Sequence, residues 1–347
     1  MQTKAHLRDK LLYGPFQFSR FSWYLLHHIA SQKASLNYVI NNKKNLNLPK
    51  IGELLFDISK VFYKEFIDIN NGIYRVPISN KIHPLSSLFK SMQYFNDLNR
   101  TNYKRKINDN HDIPFNIANS KKLPDYYKQS FHNQTGGYFV ENSASLYDHQ
   151  VETLFLGSAE VMRRRTLPYI RNYLKNKKKQ KINLLDIGSG TNVLINHVTE
   201  NWPTIFSVSL DLSFAYLKFS RKKIPYSLNI LQALAENLPI KNNSLDIILC
   251  TYLFHELPNE IRLKVVQECS RTLKVGGLLI FLDSIQINDC PKYNNLIEIF
   301  PNILHEPFYM DYIHKDLGIL FANEKLKLIN TSREFLSKIL VFKKTIK

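Results

Sequence analysis

The sequence predicts an α/β fold, a parallel sheet wound with helices on both faces and preceded by a mainly helical region. Three observations predict it. From Ile182 onward, short apolar runs alternate with helical stretches, as successive βα units require. The first of those runs ends in "DIGSGTN" (Asp186–Asn192), a glycine turn at the carboxyl end of a strand. Residues 1 to about 120 repeat apolar positions at three and four, the period of amphipathic helices.

Taken in order, "FSRFSWYLLHHIA" (Phe18–Ala30) and "IGELLFDISKVFYKEF" (Ile51–Phe66) read as helices. The Asn/Lys-rich Asn41–Lys50 reads as a loop, and Arg100–Pro114 as a polar connector. Residues 121–181 form a bridging helical segment. Gly136–Gly137 marks a turn, Ser143 is placed to cap a helix from Ala144, and Lys177–Lys179 ends the segment on a solvated surface. Strands are expected at Ile182–Ile187, Ile205–Leu210, Asn229–Ala233, Leu245–Cys250 and Leu278–Asp283. Helices follow the first, second and fourth, as at Ser213–Lys223 and Asn259–Leu273. "KLKLINTS" and "FLSKILVFKK" are two strands close together, an antiparallel pair that closes the sheet. The expected division is a helical N-terminal domain over residues 1–120, a bridge or lid over 121–181 and an α/β domain over 182–347, with no internal repeat.

Composition bounds the function. The chain has 347 residues and is 44% hydrophobic, enough for a sizeable core. Its longest apolar runs, such as Leu278–Leu282, fall far short of the ~18–20 residues a membrane span needs. Met1–Lys10 is polar, with no signal core. Cys250, Cys269 and Cys290 are too widely spaced for a zinc knuckle and read as reduced buried thiols; no metal set is read, and a cytoplasmic location fits. The net charge is +18. Residues 1–150 hold 20 basic and 11 acidic side chains and the remainder 27 and 18, so each section carries +9. Charge spread in this way does not mark a nucleic-acid arm.

In a doubly wound sheet, ligands bind beyond the carboxyl ends of the strands, where strand order reverses. A dinucleotide fingerprint needs a third glycine at position 193, and Val193 stands there. Asp186, two residues before the first glycine, would repel a pyrophosphate and suits a ligand with a cationic amine. "DIGSGTN" resembles the first motif of class I S-adenosylmethionine-dependent methyltransferases, E/D-x-G-x-G-x-G, at all but the last position. Asn192 replaces that glycine, and asparagine tolerates positive φ. Asp211 closes the second strand. "QALAENLPIKNNSLDIIL" (Gln232–Leu249) resembles the third- and fourth-strand motif, with Leu234 where an aspartate is common. "ECSRTLKVGGLLIFLD" (Glu268–Asp283) resembles the E-x-x-R-V-L-K-P-G-G turn before the fifth strand. "LYDHQVETLFLGSAEVMRRRTL" is similar to the helix before the first strand in the ubiquinone/menaquinone-biosynthesis type, at Tyr147, Asp148, Gly157 and Arg164. Residues 1 to about 120 match no family.

The resemblance implies a Rossmann-like seven-stranded methyltransferase sheet with an antiparallel last strand, and S-adenosyl-L-methionine as cofactor. It implies cofactor contacts from Asp186, Gly188, Ser189, Gly190, Asp211, Leu212, Ala235, Glu236 and Tyr252, with Asp211 on the ribose hydroxyls. The acceptor belongs beyond the fourth and fifth strands. There His255 and Glu256 are candidates for a base and its orienter, and His305 for a further base. Tyr147, Asp283, Tyr309 and Tyr312 are candidate substrate contacts, and Tyr138 and His149 candidate lid residues. The expected activity is methyl transfer to carbon or oxygen of a small aromatic, quinone-like or lipid-like acceptor. Phe16–Ile29 reads first as core of the N-terminal helical domain, with peripheral contact with a membrane as the alternative. An RNA or protein methyltransferase, or a non-catalytic cofactor-binding protein, stays open as an alternative. N/D-P-P-Y/F, the signature of base methylation, is replaced by "TYLFHELP". The oligomeric state is not legible.

Overall fold

The computed structural model describes residues 7–39, 48–76, 84–107, 113–175, 177, 180–224 and 228–346. Most of the loop expected at Asn41–Lys50, and two of the three residues of Lys177–Lys179, fall outside the described residues.

Seven strands form one sheet: β1 (Asn183–Ile187), β2 (Phe206–Asp211), β3 (Asn229–Gln232), β4 (Leu245–Thr251), β5 (Leu273–Ser284), β6 (Leu326–Glu334) and β7 (Ser337–Lys344). Their order is β3-β2-β1-β4-β5-β7-β6. The first five run parallel, and β7 lies antiparallel to both of its neighbours. The order reverses between β1 and β4, so the crevice expected for a ligand opens at the end of β1. β5 begins at Leu273, earlier than expected. The lysine–glycine turn belongs to the strand, with Gly276 at φ 80° and the pairing with β4 interrupted there.

Helices cover both faces. Before the sheet come α1 (Leu7–Val39), α2 (Ile51–Asn70), α3 (Pro84–Ile107), α4 (Phe115–Ala118), α5 (Glu141–Leu154), α6 (Ala159–Arg164) and α7 (Leu167–Lys175). Within it lie α8 (Val193–Asn201), α9 (Phe214–Lys223), α10 (Asn259–Thr272), α11 (Asn294–Ile303), α12 (Tyr309–His314) and α13 (Leu317–Ala322). Successive strand side chains point to opposite faces, and the core divides accordingly. Leu185, Ile187, Ile248, Cys250, Leu279 and Phe281 belong to one core cluster. Leu184, Ile247, Leu249, Leu278, Ile280 and Leu282 belong to the other.

Two local expectations change. The connector expected from Arg100 is helical up to Ile107, because α3 continues through it. Ser143 does not cap α5; the helix starts at Glu141 after an extended Val140, and the Ser143 hydroxyl donates to Gln134 Oε1.

The first 120 residues share the core of the sheet. Tyr13 and Phe16 of α1, Ile69 of α2, and Tyr74 and Val76 after it pack in the cluster of Leu184 and Ile247. Glu65 of α2, wholly buried, ties the N-terminal helices to the rest. It accepts from Arg164 Nε and Nη2 (2.6 and 2.8 Å), Tyr13 (2.7 Å), Tyr74 (3.0 Å) and Gln17 (3.1 Å). Burial alone would raise its pKa, and the Arg164 guanidinium overrides this and lowers it. No helix among the described residues is long and apolar enough to cross a membrane.

Candidate active site

The glycine turn shapes one wall of a cleft. Gly188 (φ 66°), Gly190 (φ 53°) and Asn192 (φ 61°) all take the left-handed conformation, so asparagine does fill the third glycine's place. The turn is anchored to β2, where Ser189 N donates to Leu210 O (3.0 Å). Gly190 N donates to Asp211 Oδ2 and Ser213 N to Asp211 Oδ1, each at 2.7 Å. Thr191 Oγ1 donates to Asp148 Oδ1 of α5 (2.6 Å), which fixes the turn from the other side.

The cleft has about 990 Å³ of space between its walls, some of it open to solvent. Gly188, Ser189, Gly190, Asp211, Leu212, Ala235, Glu236 and Tyr252 line it. Tyr252 takes φ 54°, and its hydroxyl shares a hydrogen bond with Ser337 Oγ (2.8 Å). Asp186 lies beneath the turn rather than in the wall. It is buried, and no donor reaches its Oδ1. Burial, reinforced by the Asp211 charge, raises its pKa to about 8. Burial also raises Asp211, to about 6, against the pull of its backbone donors.

Arg163 is the counterpart that the sequence does not single out. It lines the cleft beside the turn, is buried, and sits 5.3 Å from the Tyr252 ring centre. No hydrogen bond or ion pair engages its guanidinium among the described residues. Arg164, which the motif does single out, instead points away to Glu65. A buried guanidinium and a buried carboxylate on the two sides of one glycine turn match a zwitterion, the α-amino acid end of S-adenosylmethionine. These residues fit that cofactor.

A cover of aromatic rings closes the cleft. It comes from the turns Asp125–Tyr127, Phe131–Asn133 and Gly137–Phe139. Tyr126, Tyr127, Phe131 and Tyr138 face Tyr147 of α5 and Tyr216 of α9 across the opening. Phe131 stacks on Tyr138 at 5.5 Å, and Tyr138 meets Tyr216 edge-on at 5.3 Å. The cover is latched to the sheet side by Tyr126 Oη to Glu236 Oε1 and Tyr138 Oη to Glu256 Oε1, both 2.6 Å, and by Ser213 Oγ to Tyr138 O (2.5 Å). Tyr138 and Tyr147 therefore face the cleft. His149 does not; it packs among Tyr24, His27 and Tyr94 between the N-terminal helices.

The acceptor end holds an ionisable cluster. Glu256 lines the cleft, while His255, Asp283, Tyr309 and Tyr312 lie outside its wall. The orienter of His255 is Asp283, not Glu256: Nδ1 is 2.5 Å from Asp283 Oδ1, against 3.9 Å from Nε2 to Glu256 Oε1. Burial alone would lower the His255 pKa, and the Asp283 carboxylate raises it to about 10. Asp283 also accepts from Phe254 N and Ser284 N (2.9 and 2.7 Å). Tyr309 and Tyr312 spend their hydroxyls on Ser284 (both 2.6 Å) and wall His255. His305 is half-buried and bonded to Gln129 Oε1 of the cover segment (3.2 Å). The neighbouring Glu306, which the sequence groups with His305, Tyr309 and Tyr312 in a substrate-facing stretch before β6, is buried beside His132 Nδ1 (3.2 Å), and His132 is the member that sequence reasoning missed. His132 lies in the segment expected to act as a lid, at φ 57°. Its only local signal is the "FHNQTGG" turn.

The E-x-x-R motif is structural. Arg271 pairs with Glu268 (2.7 Å) and donates to Leu238 O and Ile240 O, while Glu268 accepts from Leu238 N. Together they clamp the strand-to-strand connection below the adenosine side of the cleft.

A family model described as "Methyltransferase domain" matches residues 185–281. The sterol 4-C-methyltransferase strm-1 of Caenorhabditis elegans is 25% identical over 169 residues, 47% of this chain and 49% of that protein. The ubiquinone/menaquinone biosynthesis C-methyltransferase of Campylobacter jejuni is 29% identical over 146 residues, 40% of this chain and 59% of that protein. Among solved structures, a SAM-dependent methyltransferase of Methanosarcina mazei superposes with a TM-score of 0.42 at 16% identity, covering 52% of this chain and 98% of that one. The chain spans about half the length of the curated relatives it matches. Its sheet is that of class I methyltransferases, the matched segment is a methyltransferase domain, and the cofactor of that domain is S-adenosylmethionine.

One consequence is measurable. If Asp186 receives the cofactor's ammonium it must do so ionised, and burial, which raises its pKa to about 8, favours the protonated form in the free protein below that pH. Binding of S-adenosylhomocysteine should therefore strengthen from pH 6 to pH 8, by up to about tenfold per unit. It should release close to one proton at pH 7, read by calorimetry in two buffers of different ionisation enthalpy. Affinity independent of pH over that range would remove Asp186 from the ammonium's site.

Proposed function

We propose that the whole protein transfers a methyl group from S-adenosylmethionine to carbon or oxygen of a small, ring-bearing or lipid-like acceptor. The observation that carries this reading is the aromatic cover latched over the cleft at Glu236 and Glu256. A polymer substrate would have to displace six packed rings, whereas a flat small molecule slides between them. The two relatives with named activities are C-methyltransferases of sterol and of ubiquinone/menaquinone biosynthesis, which favours the same acceptor class.

The cofactor supplies an electrophilic methyl group. Arg163 and Asp186 hold its amino-acid end, Asp211 its ribose, and Ala235 with Glu236 the adenine edge. The rings exclude water and orient the acceptor, a positional effect that can supply much of the rate. Glu256, on the wall and hydrogen-bonded by Tyr138, is placed to take an acceptor proton, with His132 beside it at 3.3 Å. Exposed Phe18, Leu26 and Ile29 on α1, and Leu88, Phe89 and Met92 on α3, suit contact with a lipid surface from which such an acceptor would be drawn.

The test is transfer of labelled methyl to panels of quinols, phenols, sterols, RNA and protein. Label on ring-bearing small molecules, lowered at least about 100-fold by Glu256→Gln with S-adenosylhomocysteine binding kept, is the expected result. Label on RNA or protein alone would overturn the acceptor class.

A further inference from the structure

We infer that His132, Glu256 and Glu306 form a binding site for one divalent transition-metal ion of the zinc type at the acceptor end of the cleft. Three segments far apart in sequence bring these groups together: the cover turn, the turn after β4 and the approach to α12. One ligand atom from each lies within 4.8 Å of the others. Atoms bound to one tetrahedral zinc ion at about 2.0–2.2 Å are about 3.4 Å apart, so the widest separation must shorten by up to about 1.4 Å, within reach of side-chain rotation, to close the set. His132 Nε2 is 3.3 Å from Glu256 Oε1, and His132 Nδ1 is 3.2 Å from Glu306 Oε1.

The second observation is Glu306 itself. Its side chain is 2% exposed, and neither carboxylate oxygen accepts a hydrogen bond. A buried carboxylate without donors is costly unless a cation compensates it. Counting the neighbours gives three carboxylates, Glu256, Glu306 and Asp283, around two imidazoles, His132 and His255. Burial raises the Glu306 pKa to about 7, so a bound cation would take the place of the proton that otherwise neutralises this carboxylate. Imidazole with carboxylate is a donor set for zinc, manganese or iron(II) rather than magnesium.

His255 stays outside the donor set: its Nδ1 is bonded to a fully buried Asp283, and its Nε2 is 3.9 Å from Glu256 Oε1. The inference stands apart from the identity of the acceptor, but an ion bound to Glu256 would take that carboxylate from the base role proposed above.

The experiment uses the full chain without an affinity tag, stripped with a chelator and titrated with Zn²⁺, with Mn²⁺ and Mg²⁺ alongside. Metal content is then measured after gel filtration. One zinc per chain is expected, bound at least tenfold more tightly than Mg²⁺, with affinity falling at least 30-fold in Glu306→Gln and in His132→Ala. S-adenosylhomocysteine binding by each variant reports that it is folded. X-ray absorption of the zinc form should show nitrogen and oxygen neighbours, including imidazole, and no sulfur. Absence of stoichiometric zinc in the folded parent would overturn the site. So would zinc whose affinity neither variant alters, which would place it on surface histidines. A variant that fails to fold is replaced by Glu306→Asp, for which zinc affinity equal to the parent's would likewise count against the site.

Discussion

Asp211→Ala should weaken S-adenosylhomocysteine binding by at least about 100-fold. The carboxylate does two things at once. It holds the turn through Gly190 N and the start of α9 through Ser213 N, both at 2.7 Å, and it lines the cleft, where we propose that it meets the ribose of the cofactor. Hydrogen bonds to a charged acceptor contribute about 1.5–3 kcal/mol each, and about 1.4 kcal/mol is a factor of ten in affinity. Losing two of them therefore removes two orders of magnitude or more. Asp211→Asn keeps one strong acceptor and should fall between. Equilibrium dialysis of the three proteins checks the order. An alanine variant that binds within threefold of the parent would take Asp211 out of the cofactor site.

Glu65→Ala should be the most destabilising single change far from the cleft, by about 3–5 kcal/mol. The substitution leaves the Arg164 guanidinium, which is 1% exposed, with Glu160 as its remaining carboxylate partner (3.2 Å), and leaves the Tyr13 and Tyr74 hydroxyls without their shared acceptor. Because Glu65 joins α2 to α6, the loss is expected as one cooperative shift of the urea unfolding midpoint, not as separate melting of the N-terminal helices. The pair Glu65→Leu with Arg164→Met removes both charges and should recover much of the stability. A loss below about 1 kcal/mol in the single variant would mean that the network does not anchor the N-terminal helices to the sheet domain.

The sheet and the glycine turn are legible in the sequence because their signals are local. Each strand is a short apolar run, and the turn is fixed by residues within seven positions of each other. Asn192 reads as a glycine substitute from conformational preference alone, and its φ of 61° agrees. Arg163 shows where local reading stops. Three arginines stand in a row at 163–165, and one step along a helix rotates a side chain by about 100°. The sequence does not say which of them meets the cleft, and the one that the motif resemblance favours is bound to Glu65. The orienter of His255 escapes for a different reason. Glu256 is adjacent in sequence, but the partner with the short hydrogen bond is Asp283, brought alongside by the pairing of β4 with β5. Glu306 and His132 are of the same kind: their meeting depends on how the cover and the α11–α12 region pack, and no spacing encodes it. His305, one residue away, carries the more conspicuous chemistry and is bonded to Gln129 of the cover segment instead.

We propose that the cleft at the end of β1 is an S-adenosylmethionine site built from this chain's own charged pair, aspartate and aromatic cover. Calorimetric titration of the purified protein with S-adenosylhomocysteine, with NAD as the control ligand, tests that claim most directly. One site per chain with micromolar affinity, and no heat with NAD, is the predicted result. A folded protein that binds no S-adenosyl compound, or binds NAD better, would contradict it.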